Sequence, residues 1–273
     1  TKTYLQIILL FSPSFLLNEI FICFVRNDSN PKLSMLAMLT GSVSNILLDY
    51  LFLFPLHMGI WGAVLATGFA PVISISILSK HYLKKQNQFH LVKTKFSPSL
   101  IGNILSLGLS SLITEAASGI VIIVFNMLIL DLNGNTGVAA YGVIANLSVV
   151  ILSIYNGIAQ GTQPMISRIY GKGDQNGLRQ ILKYAVITTE VLSICIYLLF
   201  FQMAHPIVNI FNSGQNMQLQ QIAVTGLKLY FTAIPFAGFN IILTIYFAAT
   251  DHALPAQAIS LTRGLFLILP AAF

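Results

Sequence analysis

Apolar segments long enough to cross a bilayer recur along this chain, separated by short polar connections. A helix needs roughly 20 apolar residues to span the hydrocarbon core. The pattern predicts spans at about 4–25, 33–54, 59–79, 99–130, 138–163, 180–203 and 222–249, with an eighth beginning near Pro255. The first is expected to break at Pro13. The fourth is long, and Gly108 and Gly119 are its candidate flex points. The third carries Gly59, Gly62, Ala63, Ala66 and Gly68, a small-residue face suited to close helix packing. The fold class expected is an all-α polytopic membrane protein of about eight transmembrane helices.

The connections separate by charge. Those at 26–32, 80–95 and 168–183 hold eleven Lys or Arg, and those at 55–58, 131–137 and 204–221 hold none. Short cytoplasmic loops collect Lys and Arg, so the first set is placed inside and the second outside. Arg168, Lys172, Arg179 and Lys183 are expected to crowd one short cytoplasmic loop. The connection 250–254 should be cytoplasmic, yet it has no basic residue, and Lys2 falls on the external end. Residues 80–100 form the longest polar run and mark the boundary between two helix bundles.

Composition agrees with the pattern. Of 273 residues, 56% are hydrophobic and only 8% charged, where soluble domains carry roughly 25%; the mean hydropathy is +0.81. The net charge of +6 resides in connections and reads as an orientation signal and as contact with anionic lipid head groups, with no nucleic-acid partner. Cys23 and Cys195 lie inside spans as free thiols among apolar side chains, and no metal-ligand spacing is present.

No nucleotide-binding loop or nucleophile motif is visible, so no enzyme is expected, and an energised transporter of this kind would draw on an ion gradient. Four acids fall within spans: Glu19, Asp49, Glu115 and Glu190. A charge at the bilayer centre costs about 2.5–3.5 kcal/mol on insertion scales, so each should face the bundle interior, pair, or carry a proton. Asn45 and Asp49 project from one helix face and could share a small cation or a proton. Glu115 lies in a polar stripe with Ser110, Ser111, Thr114 and Ser118. Glu19 is read as structural, near Arg26, and Glu190 likewise. Arg263 should have an acidic partner that the sequence does not name. Asn126, Asn146, Asn156, Gln160, Gln163 and Asn240 are candidates to line a central cavity, although buried amides also hold helices together.

Two groups of residues carry a family resemblance. Gln160-Gly161-x-Gln163-Pro164, Ser167 and Tyr170-Gly171-x-Gly173-Asp174 resemble the helix 8 to helix 9 connection of the multidrug and toxic compound extrusion (MATE) transporters. Arg26 to Pro31, Asn45-x-x-x-Asp49-Tyr50 and Gly59-x-x-Gly62-Ala63-x-x-Ala66-Thr67 are similar to helices 4 to 6 of that family. The resemblance implies an internal piece of a twelve-helix transporter, about helices 4 to 11. Residues 1–79 would be part of an amino-terminal lobe, 80–98 a cytoplasmic linker and 99–273 most of a carboxy-terminal lobe. Phe24-x-x-x-Asp28-x-x-Pro31 recurs as Phe247-x-x-x-Asp251-x-x-x-Pro255, six spans on, as two pseudo-symmetric six-helix lobes would require.

The resemblance also implies a function. It suggests H+ or Na+ coupling at Asp49 with Asn45 and at Glu115, with no other cofactor. Export of drug-like, amphipathic organic cations would follow, by a monomer in a bacterial cell (inner) membrane. The first alternative is a lipid-linked oligosaccharide or polysaccharide flippase of the same superfamily, disfavoured because only Arg263 and Lys228 supply cations inside spans. The second is a non-transporting membrane scaffold, which has no reason to keep acids at mid-bilayer depth.

Overall fold

The computed structural model describes residues 2–28, 30–85, 87–88 and 97–262. Among them every regular element is helical. The chain divides into two compact units, Thr1–Lys95 and Phe96–Phe273.

The first unit holds α1 (Lys2–Asn27), α2 (Pro31–Leu53) and α3 (Gly59–Leu83). α3 packs against both others, and small residues let it do so. Ala66 and Gly68 are buried, and a Cβ at Gly68 would sit 2.5 Å from the Phe11 ring of α1. Contrary to the expected break at Pro13, α1 is continuous through it. Proline leaves the carbonyl of residue i−4 without its helical donor, and here the Ser12 hydroxyl donates to that carbonyl, Leu9 O, at 2.8 Å. Arg26 reaches the Met38 sulfur at 3.9 Å rather than Glu19, which is exposed. Asn30 caps α2 by accepting from Leu33 N–H at 3.2 Å, with Pro31 at the first helical position.

The second unit begins with α4 (Pro98–Gly171), 74 residues assigned as helix with non-helical backbone at Gly134 (φ 62°, ψ −159°). Phe125 and Tyr141 stack with centroids 6.2 Å apart. Residues that far apart on one straight helix would be about 24 Å apart, so the chain reverses at Gly134. The two arms are therefore separate passes, as the pattern of spans predicts. The seven-residue loop expected at 131–137 shrinks to this single break, and Gly134, not Gly108 or Gly119, is where the backbone departs from helix.

α5 (Gln175–Gln202) is capped by Asp174, which accepts from Gly177 N–H at 3.0 Å. Only residues 172–174 separate it from α4. Arg168, Arg179 and Lys183 thus lie on helix ends, not in the loop assigned to them, because both helices continue past their apolar spans. The external connection at 204–221 is likewise mostly helical: it contains α6 (Ala204–Phe211) and the start of α7 (Met217–Tyr230). Buried Asn212 pins the turn, donating to Asn216 O at 2.9 Å and to Gln220 Oε1 at 3.2 Å. A 3-10 turn, Phe231–Ala233, joins α7 to α8 (Ile234–Ala249) just before Pro235, and α9 (Ala253–Leu261) starts the next pass. The core of this unit is built on Tyr155, Leu227, Phe231, Ile234 and Ile242 from α4, α7, the 3-10 turn and α8.

Six helical stretches among the described residues are long and apolar enough to cross a membrane, one of them containing the Gly134 reversal. Large apolar side chains cover their outer faces, Leu10, Leu16, Ile46 and Val149 among them. Cys23 and Cys195 also lie on exposed faces, outside the packed cores. This is the surface of a multi-pass membrane protein, whose solvent on that side is lipid.

Candidate functional site

In the first unit the candidate site lies on the face of α2 that carries Asn45 and Asp49, one helical turn apart and both half-buried. Asn45 Nδ2 is buried with no hydrogen-bond partner. Among the described residues the Asp49 side chain has no hydrogen-bond partner either.

Two polar groups that the sequence pattern did not single out share this condition: Asn18 Oδ1 on α1 and Ser74 Oγ on α3 are buried without partners. Their levels follow from the packing register. Asn30 meets His81 and Gly41 meets Ala70 and Ser74, so α2 and α3 run antiparallel, with Ser74 about one turn from the level of Asn45. Phe11 meets Gly68 and Asp28 meets His81, so α1 and α3 run parallel, with Asn18 close to the level of Ser74. Each helix of the unit thus contributes an unsatisfied polar atom at neighbouring depths. A buried unsatisfied group costs about 1–3 kcal/mol, and lipid offers it no substitute. Asp49 lies a further turn along α2 from Asn45, so the pair that could share a proton or a small cation is Asp49 with Asn45, while Asn18 and Ser74 lie deeper along the same bundle. No cluster of three or more His, Cys, Asp or Glu that could hold a metal ion occurs among the described residues.

In the second unit the candidates are more dispersed. Glu115 lies on an exposed face of the first arm of α4. The side chains of Ser110, Ser111, Thr114 and Ser118 beside it lie outside the described residues, as does Arg263. Asn126 Nδ2 donates to Ile122 O of its own helix at 2.9 Å. On the second arm, Asn156, Gln160 and Gln163 share one face by spacing; Asn156 is exposed and the two glutamines are half-buried. Asn146 is exposed and lies off that face, and Asn240 of α8 is half-buried. Two pockets among the described residues, one beside Lys32 and Lys80 and one beside Arg168 and Lys172, contain none of these amides.

The two turns of the internal echo each close with a bond to a residue five positions back, at different places in the motif. Asn30 N–H bonds to Val25 O at 3.2 Å after α1, and His252 N–H to Phe247 O at 2.9 Å after α8. The two acids differ. Asp28 accepts a 2.8 Å hydrogen bond from buried His81, whereas Asp251 is exposed with φ of 59°.

The fold has close structural relatives. The chain superposes with a TM-score of 0.88 and 20% identity on a structure described as the outward-facing conformation of a multidrug resistance MATE family transporter of the MOP superfamily, covering 97% of this chain and 59% of that one. A MOP superfamily transporter from Pyrococcus furiosus, described as having a binding pocket of reverse polarity that suggests a different function, gives a TM-score of 0.90 at 20% identity, over 98% and 60%. At these identities the likeness is one of fold. In sequence, the chain is 24% identical over 270 residues to the multidrug export protein MepA of Staphylococcus saprophyticus and 25% over 271 residues to that of Staphylococcus haemolyticus. In both cases the match covers 98% of this chain and spans 59% of the relative's length. The model of the MatE family matches residues 1–51 and 100–273, most of the chain, and the chain therefore belongs to the MatE family.

Proposed function

We propose that the protein is a secondary-active multidrug efflux transporter that exports amphipathic organic cations in exchange for H+ or Na+. The observation that carries this reading is the set of unpartnered buried atoms Asn18 Oδ1, Asn45 Nδ2 and Ser74 Oγ in the three helices that also hold Asp49. A membrane helix bundle under selection for stability alone would satisfy or replace them. Proton or cation entry beside Asp49 neutralises the carboxylate and lowers the free energy of one access state relative to the other. Glu115 has the corresponding role in the second unit. Asn126, Asn146, Asn156, Gln160, Gln163 and Asn240 supply polar contacts to the substrate, which leaves as the protein changes access. The transporter works as a monomer in the cell membrane, with lipid around it and the coupling ion as its only cofactor. The multidrug export names of the staphylococcal relatives support the substrate class.

The test is reconstitution of the full-length protein in liposomes with a fluorescent lipophilic cation, under a pH gradient or a sodium gradient imposed separately. Movement under one gradient, lost in Asp49→Asn and lowered in Glu115→Gln at equal expression, identifies the ion. No movement under either gradient sinks the drug-antiport reading in favour of lipid-linked substrates.

A further inference from the structure

At the charged end of the first unit, where α2 begins and α3 finishes, a cavity of about 280 Å³ is lined by Asn30, Lys32, Leu33, Leu36, Lys80 and Lys84. The three lysines come from two helices and are exposed. Among the described residues none of them pairs with a carboxylate. Asp28, the acid beside this end, is committed elsewhere: its Oδ2 accepts from His81 Nε2 at 2.8 Å and from Gln88 N–H at 2.9 Å. His81 and Asp28 side chains are only 2% and 7% exposed.

The wall of the cavity is held in place. The Asn30 amide nitrogen donates to His81 Nδ1 at 3.3 Å while its oxygen caps α2 at Leu33 N–H. A neutral His81 with its proton on Nε2 satisfies both Asn30 and Asp28. Lys32 lies in the first turn of α2, where the helix dipole already places positive potential. That position disfavours a cation unless an anion lies against it. Leading away from the lysines, Leu33 and Leu36 continue into exposed Met35 and Leu39 on a helix that crosses the membrane.

A cationic cup opening onto a lipid-facing apolar strip matches one class of ligand in both parts. We propose that Lys32, Lys80 and Lys84 form a binding site for an anionic phospholipid, with its phosphate among the three ammonium groups and an acyl chain along Leu33 and Leu36. A free phosphate would use the charges and leave the apolar strip without purpose. The site is independent of the ion-coupling residues, so its test does not depend on transport.

The experiment is native mass spectrometry of the detergent-purified full-length protein with equal amounts of phosphatidylglycerol and phosphatidylcholine, beside a Lys32→Gln/Lys80→Gln/Lys84→Gln variant. Wild type should retain phosphatidylglycerol preferentially. Each charge removed should lower that preference about five-fold, and the triple variant should hold both lipids alike. Lys84→Glu, at an exposed helix end, gives a readout if the triple variant does not fold, and should lose more than Lys84→Gln. Excess inorganic phosphate should not release the lipid. An undiminished preference in the variants, no preference in wild type, or displacement by phosphate alone would each overturn the site.

Discussion

Tyr155 is fully buried in the second unit, and its hydroxyl meets Ser193 Oγ at 2.7 Å. Ser193 Oγ also lies 2.7 Å from Thr189 O. One proton arrangement satisfies both contacts: Tyr155 donates to Ser193, and Ser193 donates to the carbonyl. Gly238 of α8 backs onto this pair, and a Cβ there would sit 2.7 Å from Thr189 Cγ2 and 3.3 Å from the Tyr155 ring. Gly238→Ala should therefore destabilise the protein by about 1–3 kcal/mol through overpacking, and Tyr155→Phe by about 0.5–1.5 kcal/mol. Both are read from the melting temperature of the purified protein, and a Gly238→Ala protein as stable as wild type would show that α8 has room to move. None of this was legible in the sequence, because the partner of Tyr155 is 38 residues away. Asn18 and Ser74 were hidden for a related reason. Serines and threonines in helices commonly bond their own backbone, as Ser76 does to Val72 O at 2.9 Å. Ser74, two residues earlier, has no such bond, and no local pattern distinguishes the two. Asn45 and Asp49 were legible because polar pairs one turn apart are conspicuous in an apolar helix.

Between elements, two glycines decide geometry. Gly134 combines φ of 62° with ψ of −159°, a region essentially reserved for glycine. Gly134→Ala should cost about 1–3 kcal/mol and lower the yield of folded protein, whereas Gly142→Ala, where a Cβ meets nothing within 4 Å, serves as the tolerated control. Gly68 sets how closely α3 approaches α1. Gly68→Ala drives a methyl into Phe11 and should destabilise, but less so in a Phe11→Ala background, so the double-mutant cycle should give coupling of about 0.5–3 kcal/mol. Additive effects would mean that α1 simply shifts aside. The spans themselves were readable, since an apolar run of bilayer length has few other uses. Their ends were not, because the helices outlast the apolar runs. α5 has 28 residues, about 42 Å against a hydrocarbon core of about 30 Å, which is why Arg179 and Lys183 are helical. Pro13 misled because the pattern carries no sign of the Ser12 hydroxyl that takes up the freed carbonyl.

For the whole molecule the testable quantity is orientation. Lys172 lies between α4 and α5, and Ser213 between α6 and α7, both exposed. α5 separates them by more than the thickness of the hydrocarbon core, so they must face opposite sides of the membrane. The basic residues at 168–183 and their absence from 204–221 put Lys172 in the cytoplasm. That assignment rests on charge alone, because packing within a helix bundle is the same whichever way it is inserted. In a full-length protein with Cys23 and Cys195 changed to Ser, a Ser213→Cys variant should react with a membrane-impermeant maleimide in intact cells. Lys172→Cys should react only after the membrane is opened. The reverse pattern would invert the spans on either side of α5. Reaction of both in intact cells would mean that α5 does not cross.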